Sequence, residues 1–172
     1  MNRDFYILRE HENMQTISDA LNSSGYEFKI TVLNQNVTES NNYVSRQLGL
    51  PIASKIFYLC RLFSVNDVPR CLESIYADLS YVREMATVNL STASLNEMLQ
   101  GEKGIGRLIA REEILIVEAT GKERELLQLD EADNEIMMIK GTVIKENDRP
   151  LAYYELLCDS EFVRYRGVSV YE

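Results

Sequence analysis

The chain has 172 residues, 45% of them apolar, which is enough for one domain with a substantial core. Its 27 acidic against 18 basic residues give a net charge of −9, and no segment clusters Lys or Arg on one face. The chain alone therefore lacks the basic footprint that DNA reading requires.

The longest apolar runs are too short to cross a bilayer, and no basic-then-apolar leader opens the sequence. Cys60, Cys71 and Cys158 show no CxxC spacing and read as buried thiols of a reducing, cytoplasmic compartment. With His11 as the only histidine, no metal or other cofactor is expected.

Residues 1–12 are mixed and charged and read as a linker or N-terminal arm, with residues 5–8 as a short strand or docking segment. A helix opens at Thr16, which can cap it while Asp19 completes a capping box. Ile17, Ala20 and Leu21 form its apolar stripe and Gly25 ends it. Such a helix start is either an ordinary cap or a place where free backbone N–H groups hold an anion. Residues 27–38 alternate and predict a half-exposed strand, and 42–48 predict a short amphipathic helix stopped by Gly49.

The centre of the chain follows. Residues 55–63 form an aromatic-rich strand interrupted by Arg61, residues 66–69 (Asn-Asp-Val-Pro) form a turn, and 70–76 return with Glu73. Residues 79–89 are irregular, with room for a helical turn. Ser94 caps a helix that carries Leu95 and Leu99 and stops before Gly101. Gly104 and Gly106 bridge onward without the pattern of a phosphate loop. Strand 112–120, helix 122–129, strand 135–145, turn 147–150 and strand 151–158 complete the order, and 165–171 alternates so that it can close the sheet. Mostly antiparallel strands with interspersed helices predict an α+β domain.

Asn66 and Asn147 open two similar turns 81 positions apart, and each return strand ends in Asp, at Asp78 and Asp159, again 81 apart. This predicts two equivalent hairpins, in which Glu73 corresponds to Tyr154 and Ser74 to Glu155. A two-residue loop pairing Val65 with Val68 would set Arg61 and Glu73 on opposite faces; a three-residue loop would set them opposite each other. A guanidinium among Phe57, Leu59 and Phe63 must be paired or hold an anion. Either Arg61 and Glu73 form a buried pair, or Arg61 offers its planar fork to a ligand carboxylate or phosphate. In the second case Arg61→Ala should weaken ligand binding and leave the fold intact.

Several stretches in a fixed order resemble the UTRA domain, the effector-binding half of HutC-type regulators in the GntR superfamily: QLGLPIASKIFYLCRL, NDVPRCLESIYAD, SLNEML, EEILIVEATGKERELLQL and NEIMMIKGTVIKENDRPLAYYELL. The resemblance implies a chorismate-lyase-like α+β fold, a central antiparallel sheet with flanking helices, over residues 13–172. It implies a non-enzymatic sensor of a small-molecule effector, commonly a homodimer, that reaches operator DNA only through an N-terminal winged helix-turn-helix not contained in this chain. A sugar phosphate or another small polar anion is the effector class it suggests. Positions matching the family's ligand residues are Gln15, Thr16 and Ile17 at the helix start, Arg61, and Glu73 in the pocket. Phe63 stands where a second arginine is common, Ala152 where a Glu is, and Asp159 where an Arg is, which admits a less charged metabolite. Tyr153 and Glu155 are added from strand spacing. The rival readings are a lyase of the same fold acting on an aromatic carboxylate, and a pure dimerisation module.

Overall fold

In the computed structural model, residues 6–10, 15–100, 107–130, 134–145 and 149–166 are described. Six long strands form the frame: β2 (Phe28–Glu39), β3 (Lys55–Val65), β4 (Val68–Asp78), β5 (Leu108–Glu118), β6 (Glu135–Lys145) and β7 (Pro150–Asp159). They lie in the order β2-β3-β4-β7-β6-β5, every neighbouring pair antiparallel. The expected α+β architecture with a central antiparallel sheet is the one found.

Alternation along β3, β4 and β7 gives the sheet two faces. Phe57, Leu59, Phe63, Cys71, Ile75, Ala77, Leu156 and Cys158 pack on one face beneath α1 (Ile17–Ser24), α3 (Leu79–Val82) and α4 (Leu95–Gln100). On the other face α2 (Asn42–Leu48) packs through Val44 and Leu48 against Ile56 and Tyr153, and α5 (Gly121–Leu127) packs through Leu127 with Leu72, Ile136 and Leu157. We call the α1 side the inner face. A single 3-10 turn at Arg83–Ala86 extends α3, so the helical turn allowed for within residues 79–89 is present and is longer than one turn.

The hairpin of β3 and β4 resolves the parity question in an unforeseen way. Asn66 and Asp67 both have positive φ, 49° and 62°, the signature of a two-residue hairpin turn, and Val65 pairs with Val68. Yet Arg61 is paired directly with Glu73. The register shifts between Ser64–Pro69 and Phe63–Cys71, leaving Arg70 as an extra residue, a β-bulge that reverses the parity of everything beyond it. The expectation that a two-residue loop separates Arg61 from Glu73 is therefore corrected.

The second hairpin repeats the device. Ile144 pairs with Pro150 and Val143 with Ala152, so Leu151 is extra, 81 positions after Arg70. At the junction of β4 and β7, Ser74 faces Glu155, the two residues that the repeat makes equivalent. The two halves meet around that pair. Arginine–aspartate contacts flank it on both sides: Arg70 donates to Asp159 at 2.7 Å, and Arg149 to Asp78 at 3.3 Å.

Two elements depart from expectation. β5 starts at Leu108 rather than 112, because the charged run Arg111-Glu112-Glu113 hides the strand's alternation. The C-terminal alternation does not close the main sheet. Its described part, β8 (Val163–Arg166), pairs in parallel with β1 (Ile7–Glu10) as a separate ribbon. Phe162 and Val163 are anchored in the inner core, which turns the chain off the sheet after β7. Gly101, Gly104, Gly106 and residues 167–172 lie outside the described residues.

Candidate functional site: a cleft on the inner face

The start of α1 is fixed by its own side chains. Thr16 N and Oγ1 both donate to Asp19 Oδ2, at 2.9 and 2.6 Å, and Asp19 N donates back to Thr16 Oγ1 at 3.2 Å. Gly25 at φ 75° ends the helix, so α1 is held at both ends. Its buried Ile17, Ala20 and Leu21 seat it on the sheet. Ser94 and Glu97 make the equivalent reciprocal bonds at the start of α4. Between these two helix starts and the sheet lies a narrow cleft, with about 330 Å³ of empty space once the open solvent at its mouth is counted and enclosed room for little more than one water.

Gln15, Thr16 and Ile17 form one wall, Leu95 another, and Glu73, Tyr154 and Leu156 the floor; Arg9 enters from β1. Glu73 is only 5% exposed. Its Oε2 accepts from Arg61 Nε at 2.8 Å and from Arg61 Nη2 at 2.5 Å. Arg61 Nη1 donates to the carbonyls of Leu90 and Ala93, at 3.0 and 2.5 Å, and its guanidinium lies 5.3 Å from the centre of the Phe63 ring. Arg61 thus ties the loop that precedes α4 to the sheet.

The other half of the floor is built around a glycine. On the inner face Tyr154 is paired with Gly141, and Gly141 with Glu112. A Cβ at position 141 would lie 2.4 Å from the Tyr154 ring. Its absence lets the ring cross β6 so that the hydroxyl donates to Glu112 Oε1. The same oxygen accepts from Arg9 Nη2 at 2.8 Å. Arg9 also donates to the Gln15 carbonyl, from Nε at 2.9 Å and Nη2 at 2.7 Å, and to the Tyr165 hydroxyl. Burial opposes the Arg9 charge, but Tyr165, Glu112 and Tyr154 more than offset it and hold its pKa above the ordinary value. Burial, then Glu112, pushes the Tyr154 phenol well above its usual range.

The model of one family, described as the UTRA domain, matches residues 23–164. The chain belongs to the UTRA family. A comparison with curated proteins gives no significant match. Among solved structures, the effector domain of PhnF from Mycobacterium smegmatis superposes with a TM-score of 0.81 at 13% identity, over 96% of this chain and 100% of that one. PhnF itself, from the same organism, gives 0.81 at 13% identity, over 97% and 73%. The C-terminal domain of the histidine utilization repressor from Pseudomonas syringae pv. tomato gives 0.75 at 13% identity, over 84% and 100%. This UTRA chain is a ligand-sensing regulatory domain, not an enzyme. No helix among the described residues is long and apolar enough to cross a membrane.

Of the residues singled out from the UTRA sequence pattern, Thr16, Ile17 and Glu73 come together in the cleft. Arg61 is wholly buried behind Glu73, and Phe63, also wholly buried, lies beneath Arg61. Tyr153 and Glu155 sit on the outer face. There the Tyr153 hydroxyl donates to Glu155 at 2.7 Å and shares a 2.8 Å bond with Tyr43, while its ring stacks beside Tyr76 at 6.1 Å. Their neighbours Tyr154 and Leu156 face the cleft instead. The equivalence of Tyr154 with Glu73 in the repeat carried that parity. Gln15, the first residue of the matched helix start, also lines the cleft, whereas nothing in the sequence pattern pointed to Arg9, Leu95 or Glu112 as site residues.

Proposed function

We propose that this chain is the effector-sensing and dimerisation module of a cytoplasmic transcription regulator. A small polar metabolite occupies the inner-face cleft and alters the placement of the segment before α1, which in a complete regulator leads to a winged helix-turn-helix on operator DNA. One observation carries this reading: the cleft is lined by Arg9, a residue of the N-terminal strand, as well as by the helix start and the sheet floor. A ligand touching all three has differential contacts with any two placements of β1, which is what coupling between sites requires. The repressor and PhnF effector domains to which the chain is similar support the same reading.

The test is a thermal-shift screen of the chain against sugars, sugar phosphates, amino acids and aromatic acids, followed by limited proteolysis with any compound that stabilises it. Occupied cleft should raise the melting temperature and change cleavage within residues 1–15. Stabilisation with unchanged cleavage there would remove the coupling, and no stabilisation by any class would remove the sensing.

A further inference from the structure

The charges around the cleft are already matched. Arg9 is the one cation lining it among the described residues, and it is held by Glu112, the Gln15 carbonyl and Tyr165. Arg61 is 0% exposed and spends its donors on Glu73, Leu90 and Ala93. At the start of α1 the Asp19 carboxylate already complements the positive end of the helix dipole, accepting from both Thr16 N and Oγ1. Two guanidiniums therefore stand against three carboxylates, those of Asp19, Glu73 and Glu112. A phosphate entering here would meet no uncommitted cation among the described residues and would bring two further negative charges into a poorly solvated space.

Glu73 presents the opposite opportunity. Both bonds from Arg61 end on Oε2, and Oε1 accepts from no described residue. The side chain is 95% buried by accessibility and lines the cleft. This oxygen is the part of the carboxylate that the cleft reaches, and a charged donor satisfies it best. The remaining surroundings, Ile17, Leu95, Leu156 and the Tyr154 ring, suit a compact carbon body.

We infer that the effector carries an ammonium group that donates to Glu73 Oε1, and carries no phosphate. This rests on the cleft being the sensing site, and it names the ligand class that site takes.

The experiment measures melting temperature and calorimetric binding on the wild-type chain with two probe sets. The first contains glucosamine, L-lysine and spermidine; the second contains glucose 6-phosphate, glycerol 3-phosphate and inorganic phosphate. Glucose serves as the uncharged partner of glucosamine. Stabilisation by a member of the ammonium set, with none from the phosphates and less from glucose, is expected. In Glu73→Gln that binding should weaken about tenfold or more. Should Glu73→Gln fail to fold, Leu156→Trp, which fills the cleft beside Glu73 and removes neither charge of the ion pair, should abolish the same binding. Binding of phosphates alone would overturn the ammonium assignment and leave sensing intact. Ammonium binding unchanged in a folded Glu73→Gln, or in Leu156→Trp, would overturn the role of this cleft. No binding of either set would overturn the sensing reading along with it.

Discussion

Arg61, wholly out of contact with solvent, gives two hydrogen bonds to a single oxygen of Glu73, Oε2, and two more to the Leu90 and Ala93 carbonyls. The pair is thus a brace between two central strands and the loop that delivers Leu95 to the cleft. Removing one partner of a buried pair leaves the other charge unpaired, which costs about 3–5 kcal/mol. Arg61→Ala should lower stability by that amount in urea unfolding, with ligand binding lost as a consequence. The double variant Arg61→Leu, Glu73→Leu should lose markedly less, since it buries no charge. A wild-type-like unfolding midpoint for Arg61→Ala would show that the guanidinium is free to serve a ligand.

Gly141 and Tyr154 are coupled through space rather than through conformation, since Gly141 has no left-handed φ. The Tyr154 ring cannot swing clear of an added methyl without breaking its bond to Glu112. Gly141→Ala should therefore destabilise by about 1–3 kcal/mol, as overpacking does. In a Tyr154→Leu background the same change should cost much less. A double-mutant cycle on unfolding midpoints measures the difference, and additive costs would separate the two residues.

The elements themselves were legible from local chemistry. Thr16 with Asp19 and Ser94 mark two helix starts, and strands β2 and β6 lie nearly residue for residue where they were expected. The site was less so. Which face a residue takes depends on every register shift before it, and the Arg70 bulge leaves no composition signal, because an arginine suits a bulge and a ladder alike. The same uncertainty put Tyr153 and Glu155 forward in place of Tyr154 and Leu156. Arg9 and Glu112 are 103 positions apart and meet only through tertiary structure, so no spacing rule reaches them. The 81-residue repeat was the one long-range signal; it made Ser74 and Glu155 equivalent, and the fold then sets those two residues opposite each other.

Among the described tyrosines, five (Tyr58, Tyr76, Tyr153, Tyr154 and Tyr165) have phenols pushed above their usual value, in each case chiefly by burial. Hydrogen bonds to Tyr43 and Glu155 add to the effect at Tyr153. A raised pKa means the folded chain favours the neutral phenol more than the unfolded chain does. The resulting stability is complete below the unfolded value of about 10 and is lost as pH rises above it. Phenolate absorbance during an alkaline titration should show a first group ionising reversibly, with the rest appearing together with loss of the far-ultraviolet circular dichroism. Reversible ionisation of all ten tyrosines in a folded chain would contradict this.

Cys71 and Cys158 face each other across β4 and β7, both 0% exposed, with Cys71 hydrogen-bonded to Cys158. Burial, then Cys158, pushes the Cys71 thiol well above its ordinary range, so it holds almost no thiolate at neutral pH. These two strands form the seam between the halves, and they separate only if the sheet opens. A thiol reagent in excess should therefore label Cys71 and Cys158 at the rate of sheet opening, slowed by any ligand that stabilises the fold and accelerated by urea below the midpoint. Cys60, 8% exposed on the outer face, should label first. Equal labelling rates for the three thiols in native buffer would mean that the seam opens far more readily than a pairing over seven registered positions, from Cys71–Cys158 to Ala77–Ala152, allows.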